Sequence, residues 1–542
     1  MSRGKGKGPR WWPMLILWPI IIAFVILLEV AGEAISLQPQ FHRALSVVIG
    51  LFLTLCWLLF FSRIPWRMRL GALAGCAVFV VLLNAAFEIH PSGDMVPQFR
   101  PRWQSTETVK TRSQTEETTA AVAAYPQFQG PNRDAKLTDI HLDRAWDTHP
   151  PELLWRQPID PAWSAFSIQG NLAVTQVQRG ESECVIALDL ATGKEAWSHC
   201  EAGRHATPIG GTGPRATPTI HGDRVLAMGC LGNLVCLQLA DGKKIWSRQV
   251  FQELGTQPPE WGSSASPLVV DDRVVVSLGI GDAGTLAAYE LDDGGPVWTA
   301  SGDSSAFSSP ALLQLDGVDQ LVMFAQKMVY GFDPATGGTL WSFPWPTFQP
   351  TVSIPITIDA THLLVSSGYG IGASLLQLSR ENDQWQATEV WHNRFLKSKF
   401  AVMIEHEGFV YGIDEGIMVC IDPNTGERRW KGGRYGHGQM LLVGDLLLVS
   451  SEKGELVLID PKPEALTELH RVKALNGKSW NPPSLAGDLL LVRNAREAAC
   501  FRVKLRENPS GEAGTETPEQ PAEPQPTSAE EQQPNDSESS GG

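Results

Sequence analysis

The chain has 542 residues, long enough for a large core, and carries a formal charge of -15. Much of that excess sits at the end, because no Lys or Arg lies between Glu507 and Gly542. An acidic chain without clustered Lys and Arg argues against a nucleic-acid partner, and nineteen Trp against six Tyr calls for a specific explanation.

Three apolar stretches open the chain, at about 11–31, 44–61 and 70–87, each about as long as a helix needs to cross a bilayer. Arg3, Lys5, Lys7 and Arg10 precede the first, and Arg63, Arg67 and Arg69 fill the loop between the second and third. The positive-inside rule puts both basic segments in the cytoplasm, so about three transmembrane helices deliver the rest of the chain to the periplasmic side of the inner membrane. The alternative is a cleaved signal peptide with Met14–Leu28 as its apolar region, which leaves two helices and the same final side. Residues 1–90 are thus expected to form a membrane region. Residues 91–125, rich in Thr, Ser, Gln, Glu and Pro, read as a disordered linker, and 507–542 as a disordered acidic tail.

Between linker and tail, over 126–506, one pattern recurs. Its clearest copy is Ala187-Leu188-Asp189-Leu190-Ala191-Thr192-Gly193 followed by Trp197. Further copies end at Trp246, Trp298, Trp341 and Trp430, and a version with a lengthened turn ends at Trp391. The spacing of these Trp residues, 39 to 52, is that of a four-stranded blade. Alternating apolar runs such as Arg224–Met228 are strands, and the Thr-Gly or Asp-Gly pair supplies the positive φ of a tight hairpin. Each Trp then falls on an outermost strand, where its face can pack on the neighbouring blade. Seven full units are followed by a three-stranded piece at 483–505, and Leu153–Pro158, with Trp155, reads as its missing fourth strand. The expected fold is all-β: an eight-bladed propeller of four-stranded antiparallel blades, with seven as the alternative count.

The repeat resembles that of the quinoprotein (pyrroloquinoline quinone, PQQ) dehydrogenases and of the outer-membrane protein assembly propeller. The span from Phe128 to Leu505 also resembles the PQQ-like repeat proteins of planctomycetes, through Phe128–Arg133, Gly213–Pro218 and Arg434–Gly438. For the dehydrogenases, resemblance implies a disulfide between adjacent cysteines, a Trp beneath the quinone, and a calcium held by Glu, Asn and Asp. None of the eight cysteines is adjacent to another, no Cys-x-x-Cys-His is present for a haem, and no local run matches the calcium set.

A hairpin centred on Thr192 places Cys184 opposite Cys200, a possible disulfide; one centred on Asn233 would do the same for Cys230 and Cys236. The charged loop residues Arg179, Glu181, Arg204, His205, Arg215, Arg394, Lys397, Lys399, Arg434 and His437 are the candidate ligand-binding set. Converging on one face, they would form a basic funnel suited to an anionic ligand or acidic peptide. No catalytic residue and no metal site is read. The expected function is a non-catalytic, membrane-anchored propeller that binds an envelope protein or ligand and takes no cofactor. The alternative is a PQQ-dependent oxidoreductase, with calcium, donating electrons to membrane quinone.

Overall fold

The computed structural model describes residues 12–35, 39–62, 64–91, 97–101, 124–207, 210–345, 347 and 349–506. The acidic tail and most of the expected linker lie outside these residues. Three helices come first: α1 (Trp12–Ile35), α2 (Pro39–Cys56), continued by a π turn at Trp57–Phe61, and α3 (Trp66–Ala86). Among the described residues α3 alone is long and apolar enough to cross a membrane, and Ser46–Phe61 is a shorter apolar segment. Phe87–Pro91 then pairs antiparallel with Pro97–Pro101, so the start of the expected linker is a hairpin, with Ile89 opposite Phe99.

Eight blades follow. Seven take their four strands in chain order, over 167–202, 219–249, 268–300, 311–344, 356–393, 404–434 and 439–473. The eighth joins Ser484–Ala486, Leu489–Arg493 and Glu497–Arg502 to Glu152–Pro158, with Trp155 opposite Cys500. First and last parts of the propeller chain therefore share one blade, and the ring closes without an open edge.

The repeat residues explain why the blades stack. Ahead of each third-to-fourth-strand turn the register shifts by one residue, as between Ala187 and Leu188 or Cys236 and Leu237. This bulge leaves one small or apolar residue opposite the Trp: Ala187 faces Trp197, Cys236 faces Trp246, Cys420 faces Trp430 and Cys500 faces Trp155. The indole then lies on the turn glycine of the next blade. A Cβ on Gly193 would come within 2.7 Å of Trp155, and one on Gly242 within 2.4 Å of Trp197. The indole N–H donates to a carbonyl of the same turn, Leu190 O for Trp155 (2.9 Å) and Leu239 O for Trp197 (2.8 Å). Trp341 departs from the pattern: the next turn is Asn382-Asp383, with no Thr-Gly to receive an indole, and its N–H donates to Gln320 Oε1 of its own blade (2.6 Å).

The inner edge is sewn by hydroxyls. Ala165 N donates to Thr217 Oγ1 (3.1 Å), Thr217 N to Ser266 Oγ (3.0 Å), and Ser266 N to Ser309 Oγ (2.9 Å). Each link ties a blade to the next, which satisfies backbone groups that the short first strands leave unpaired.

The central channel is filled by the chain itself. Tyr125 bridges Ile168 on the first strand of blade one, and Lys136–Leu137 adds in parallel to Gln439–Val443 of blade seven. Between them Arg133, buried, donates to Ser266 O (3.2 Å) and Pro310 O (2.7 Å), and also to Pro267 O. Strand direction fixes the path. Every first strand runs from the face carrying the interblade connections to the face carrying the Thr-Gly turns. Tyr125, antiparallel to it, enters from the Thr-Gly face, and Lys136–Leu137 returns there. Leu505, bridged to Leu142, ends on that face too.

Candidate functional site

On the opposite face the interblade connections surround a bowl of about 200 Å³, floored by Phe128 and Gln129 of the channel segment. Nearly every connection contributes. Trp163 precedes blade one, Trp261 blade three, Phe307 blade four, Phe400 blade six and Trp480 blade eight. The rings pair into walls: Trp163 with Trp480 at 4.9 Å between centroids, Phe400 with Trp480 at 5.2 Å, and Trp261 with Phe307 at 5.4 Å. Blades four and eight are diametrically placed in a ring of eight, so the Phe307 and Trp480 walls rise from opposite sides.

Two cations line this aromatic bowl, Arg215 and Lys399, and no carboxylate does. Lys399 Nζ lies 4.4 Å from the centroid of the Tyr369 ring. Lys478 Nζ, outside the lining, sits 3.8 Å from the Trp480 ring and 5.2 Å from Trp163. Burial lowers the pKa of Lys478 to about 8, against the opposing pull of Glu452. Glu452 itself accepts from Trp480 Nε1 (3.0 Å) and from His437 N (3.2 Å), which fixes the indole. Arg215 is held by carbonyls, Gly210 O among them (3.2 Å).

Of the ten charged residues singled out from the sequence, Arg215 and Lys399 line the bowl. Arg179 instead pairs with Asp160 (2.8 Å) and Glu195. Arg204 pairs with Glu181 at the exposed rim, and Lys397 pairs with the buried Asp414 (3.0 Å) and with Glu415. Arg394 donates to Gly370 O (2.9 Å) and stays exposed, as does Arg434. His437 is buried with its ring 4.9 Å from Phe400, which places it in the wall rather than in the opening. His205 is half-buried, and burial together with Arg215 holds its pKa below the usual value. The charges share a face by topology, but most are spent on local partners.

The repeat marks only the Trp after each turn, so the bowl aromatics at the blade starts and Lys478 carry no repeat signal. The available signal lay at blade starts, where an aromatic is followed by Ser or Asn and often Pro: Phe307-Ser308-Ser309-Pro310 and Trp480-Asn481-Pro482.

Cys184 and Cys200 form a disulfide across the third and fourth strands of blade one, with Cα atoms 4.0 Å apart. Cys184 is buried in the core shared with blade eight. Cys230 and Cys236 are free and buried, because Asn233 begins a strand and Cys236 faces Leu226 and Trp246 instead.

A ring of eight blades, most of them docked by a repeat Trp, around an aromatic bowl defines a propeller of the PQQ-repeat class. The family described as outer membrane protein assembly factor BamB matches residues 144–257 and 181–432, more than half of the chain, and the chain belongs to that family. No curated protein matches its sequence. Among solved structures it is similar to a quinohemoprotein alcohol dehydrogenase from Comamonas testosteroni, at 12% identity over 71% of this chain and 82% of that one, TM-score 0.53. A europium-containing methanol dehydrogenase matches at 12% identity over 70% of this chain and 98% of that one, TM-score 0.52. BamB from Moraxella catarrhalis matches at 15% identity over 66% and 99%, TM-score 0.48. At these identities the likeness fixes the fold alone.

The residues present do not fit a calcium-held quinone. The bowl lining carries no carboxylate, and among the described residues no group of three His, Cys, Asp or Glu side chains could hold a metal. The disulfide joins non-adjacent cysteines inside a blade, away from the bowl lining.

Proposed function

We propose that this protein is a non-catalytic binding module, anchored in the cytoplasmic membrane by about three N-terminal helices and holding its propeller on the periplasmic side. There it binds a protein partner of the cell envelope. One observation carries the reading: the channel segment enters and the last strand leaves on the Thr-Gly face, while the aromatic bowl opens on the other. A tether attached to one face leaves the other clear for a partner. The apolar α3 and the basic residues Arg67 and Arg69 in its first turn support the anchoring.

The fold shared with a quinohemoprotein alcohol dehydrogenase and a methanol dehydrogenase supplies the second reading, a PQQ-dependent oxidoreductase. Both are tested on the full chain in detergent, mixed with PQQ and calcium and assayed for stoichiometric binding and for dye reduction with alcohols and sugars. The binding-module reading expects neither. Turnover overturns it. Thiol labelling of single-cysteine variants in intact and permeabilised spheroplasts tests the side: a propeller labelled only after permeabilisation is not periplasmic.

A further inference from the structure

Blade five differs from its neighbours in how its last hairpin is built. Its third and fourth strands run on to a two-residue turn at Asn382-Asp383, whose positive φ values (+49 and +63) suit a tight hairpin. In blade one the register shift lies at the start of the fourth strand, between Ala187 and Leu188. In blade five the shift falls between Leu375 and Leu376, opposite the middle of the fourth strand, so Gln384–Glu389 is an added, unbroken stretch ahead of it. Trp385 and Ala387 pack on the core shared by blades four and five, which holds the added ribbon against the ring.

This stretch presents a free strand edge. The fourth strand, Gln384–Asn393, pairs with Gly372–Glu381, and among the described residues nothing outside blade five bonds to the backbone of Gln384–Glu389. A two-residue turn closes on a hydrogen-bonded pair, here Glu381 with Gln384, and bonded and non-bonded pairs alternate from there. Trp385, Ala387 and Glu389 therefore turn their N–H and C=O groups outward. Proteins ordinarily blunt such an edge with Lys, Arg or Pro. Six of the other seven outer strands carry at least one, such as Lys244 and Arg248 in blade two or Pro296 in blade three, and blade one's carries Glu195 and Glu201. Gln384–Asn393 has none and a single carboxylate, and at 10 residues it is the longest outer strand of the eight.

We infer that this edge is a dimer interface, pairing antiparallel with the same strand of a second copy of the chain about a two-fold axis at Ala387. In that register every outward residue meets an outward residue: Ala387 faces its own counterpart, and Trp385 faces the counterpart of Glu389. Each free N–H then finds a free C=O, as a self-complementary two-fold contact requires. The two Glu389 carboxylates fall at opposite ends of the pairing, so the one charge in the stretch is not set against itself. Alanine at the axis keeps bulk away from the closest approach. A foreign strand would have to match this spacing, whereas a second copy carries the match in its own sequence. The ribbon extends the turn side of the ring, so pairing there leaves the bowl face open.

The test joins sedimentation velocity of the full chain in detergent, over a concentration series, to site-directed crosslinking. The expected result is a reversible monomer–dimer equilibrium. Ala387→Pro removes an N–H that the blade itself does not use, and should weaken the dimer about tenfold or more. Crosslinking supplies a second readout that does not depend on that variant folding. In a chain carrying Cys56→Ser and Cys76→Ser, Ala387→Cys places two thiols on facing residues about 5.5 Å apart between Cα atoms, within disulfide reach, so mild oxidation should yield a covalent dimer. Gln384→Cys lies about 20 Å from its counterpart in the same register and should yield none. A chain that stays monomeric at every concentration overturns the inference, as does a dimer that a folded Ala387→Pro leaves intact. Equal crosslinking from Gln384→Cys and Ala387→Cys contradicts the register and overturns it too. So does oxidation in cells that joins Ala387→Cys to a different protein, which would assign the edge to a foreign strand.

Discussion

Lys478 Nζ rests 3.8 Å from the centre of the Trp480 ring, and the same indole donates to Glu452, whose charge also acts on the lysine. The lysine therefore sits in a half-buried place where an aromatic face and the Glu452 charge both act on its ammonium. Burial lowers its pKa to about 8, well below the ordinary lysine value. Amine-reactive labelling followed by mass spectrometry should show Lys478 half-reacted near pH 8, with typical surface lysines following near their ordinary value. The sign for stability follows from linkage. Between about 8 and the unfolded lysine value only the unfolded chain keeps this proton, so this group makes the fold more stable as pH rises through that window.

The Trp-on-glycine contact separates space from backbone strain. Gly242 has φ +71 and its added Cβ would lie 2.4 Å from the Trp197 ring, whereas Gly222 has φ +59 and nothing within 4 Å. Gly222→Ala should cost about 1 kcal/mol from the backbone alone. Gly242→Ala should add the overpacking penalty and cost about 3 kcal/mol. Urea unfolding of both variants checks the difference.

Ring closure hangs on one strand. Trp155 is 4% exposed, faces Cys500 and donates across to the first blade at Leu190. Trp155→Ala should cost about 3–5 kcal/mol. Hydrogen exchange should quicken first in Glu497–Arg502, the strand that would become an edge. Uniform quickening across all blades would contradict closure at this seam.

Arg133 holds the channel segment by hydrogen bonds to carbonyls of blades three and four. Arg133→Met keeps most of the bulk and leaves those carbonyls without their donor, at a cost of about 2–4 kcal/mol. Because Phe128 and Gln129 floor the bowl, faster exchange in 125–137 should accompany the loss.

The Cys184–Cys200 link closes a short loop across one hairpin, worth about 3 kcal/mol in the chain-entropy account. Non-reducing peptide mapping should recover the pair, and reductant should lower the urea midpoint of the wild type but not of Cys184→Ser/Cys200→Ser.

The ring was legible in the sequence because its restraints are local and repeated. Asp, Thr-Gly and Trp sit at fixed offsets, and the strand Leu153–Pro158 with Trp155, upstream of the first full unit, points to the shared blade. The slot shared by Ala187, Cys236 and Cys420 could be recognised as small, though only the bulge shows that a Trp stands opposite. The bowl was harder to read because its residues come from connections dozens of residues apart and meet only when the ring closes. Charge was also a poor guide. Arg179 and Lys397 look alike in sequence to Arg215 and Lys399, yet Asp160, Glu195 and Asp414 claim the first pair. The channel segment was visible as Phe128–Arg133, but nothing local reveals that Arg133 reaches carbonyls more than a hundred residues away.

The central claim is that the bowl face, and not the Thr-Gly face, receives an envelope partner. The most direct measurement is photo-crosslinking in living cells from a benzoylphenylalanine placed at Phe400, beside one placed at the exposed Thr192 on the opposite face. The account predicts a discrete protein adduct from Phe400 and none of that mass from Thr192. An adduct from Thr192 alone, or no adduct from Phe400 in cells where the chain is membrane-inserted, would contradict it.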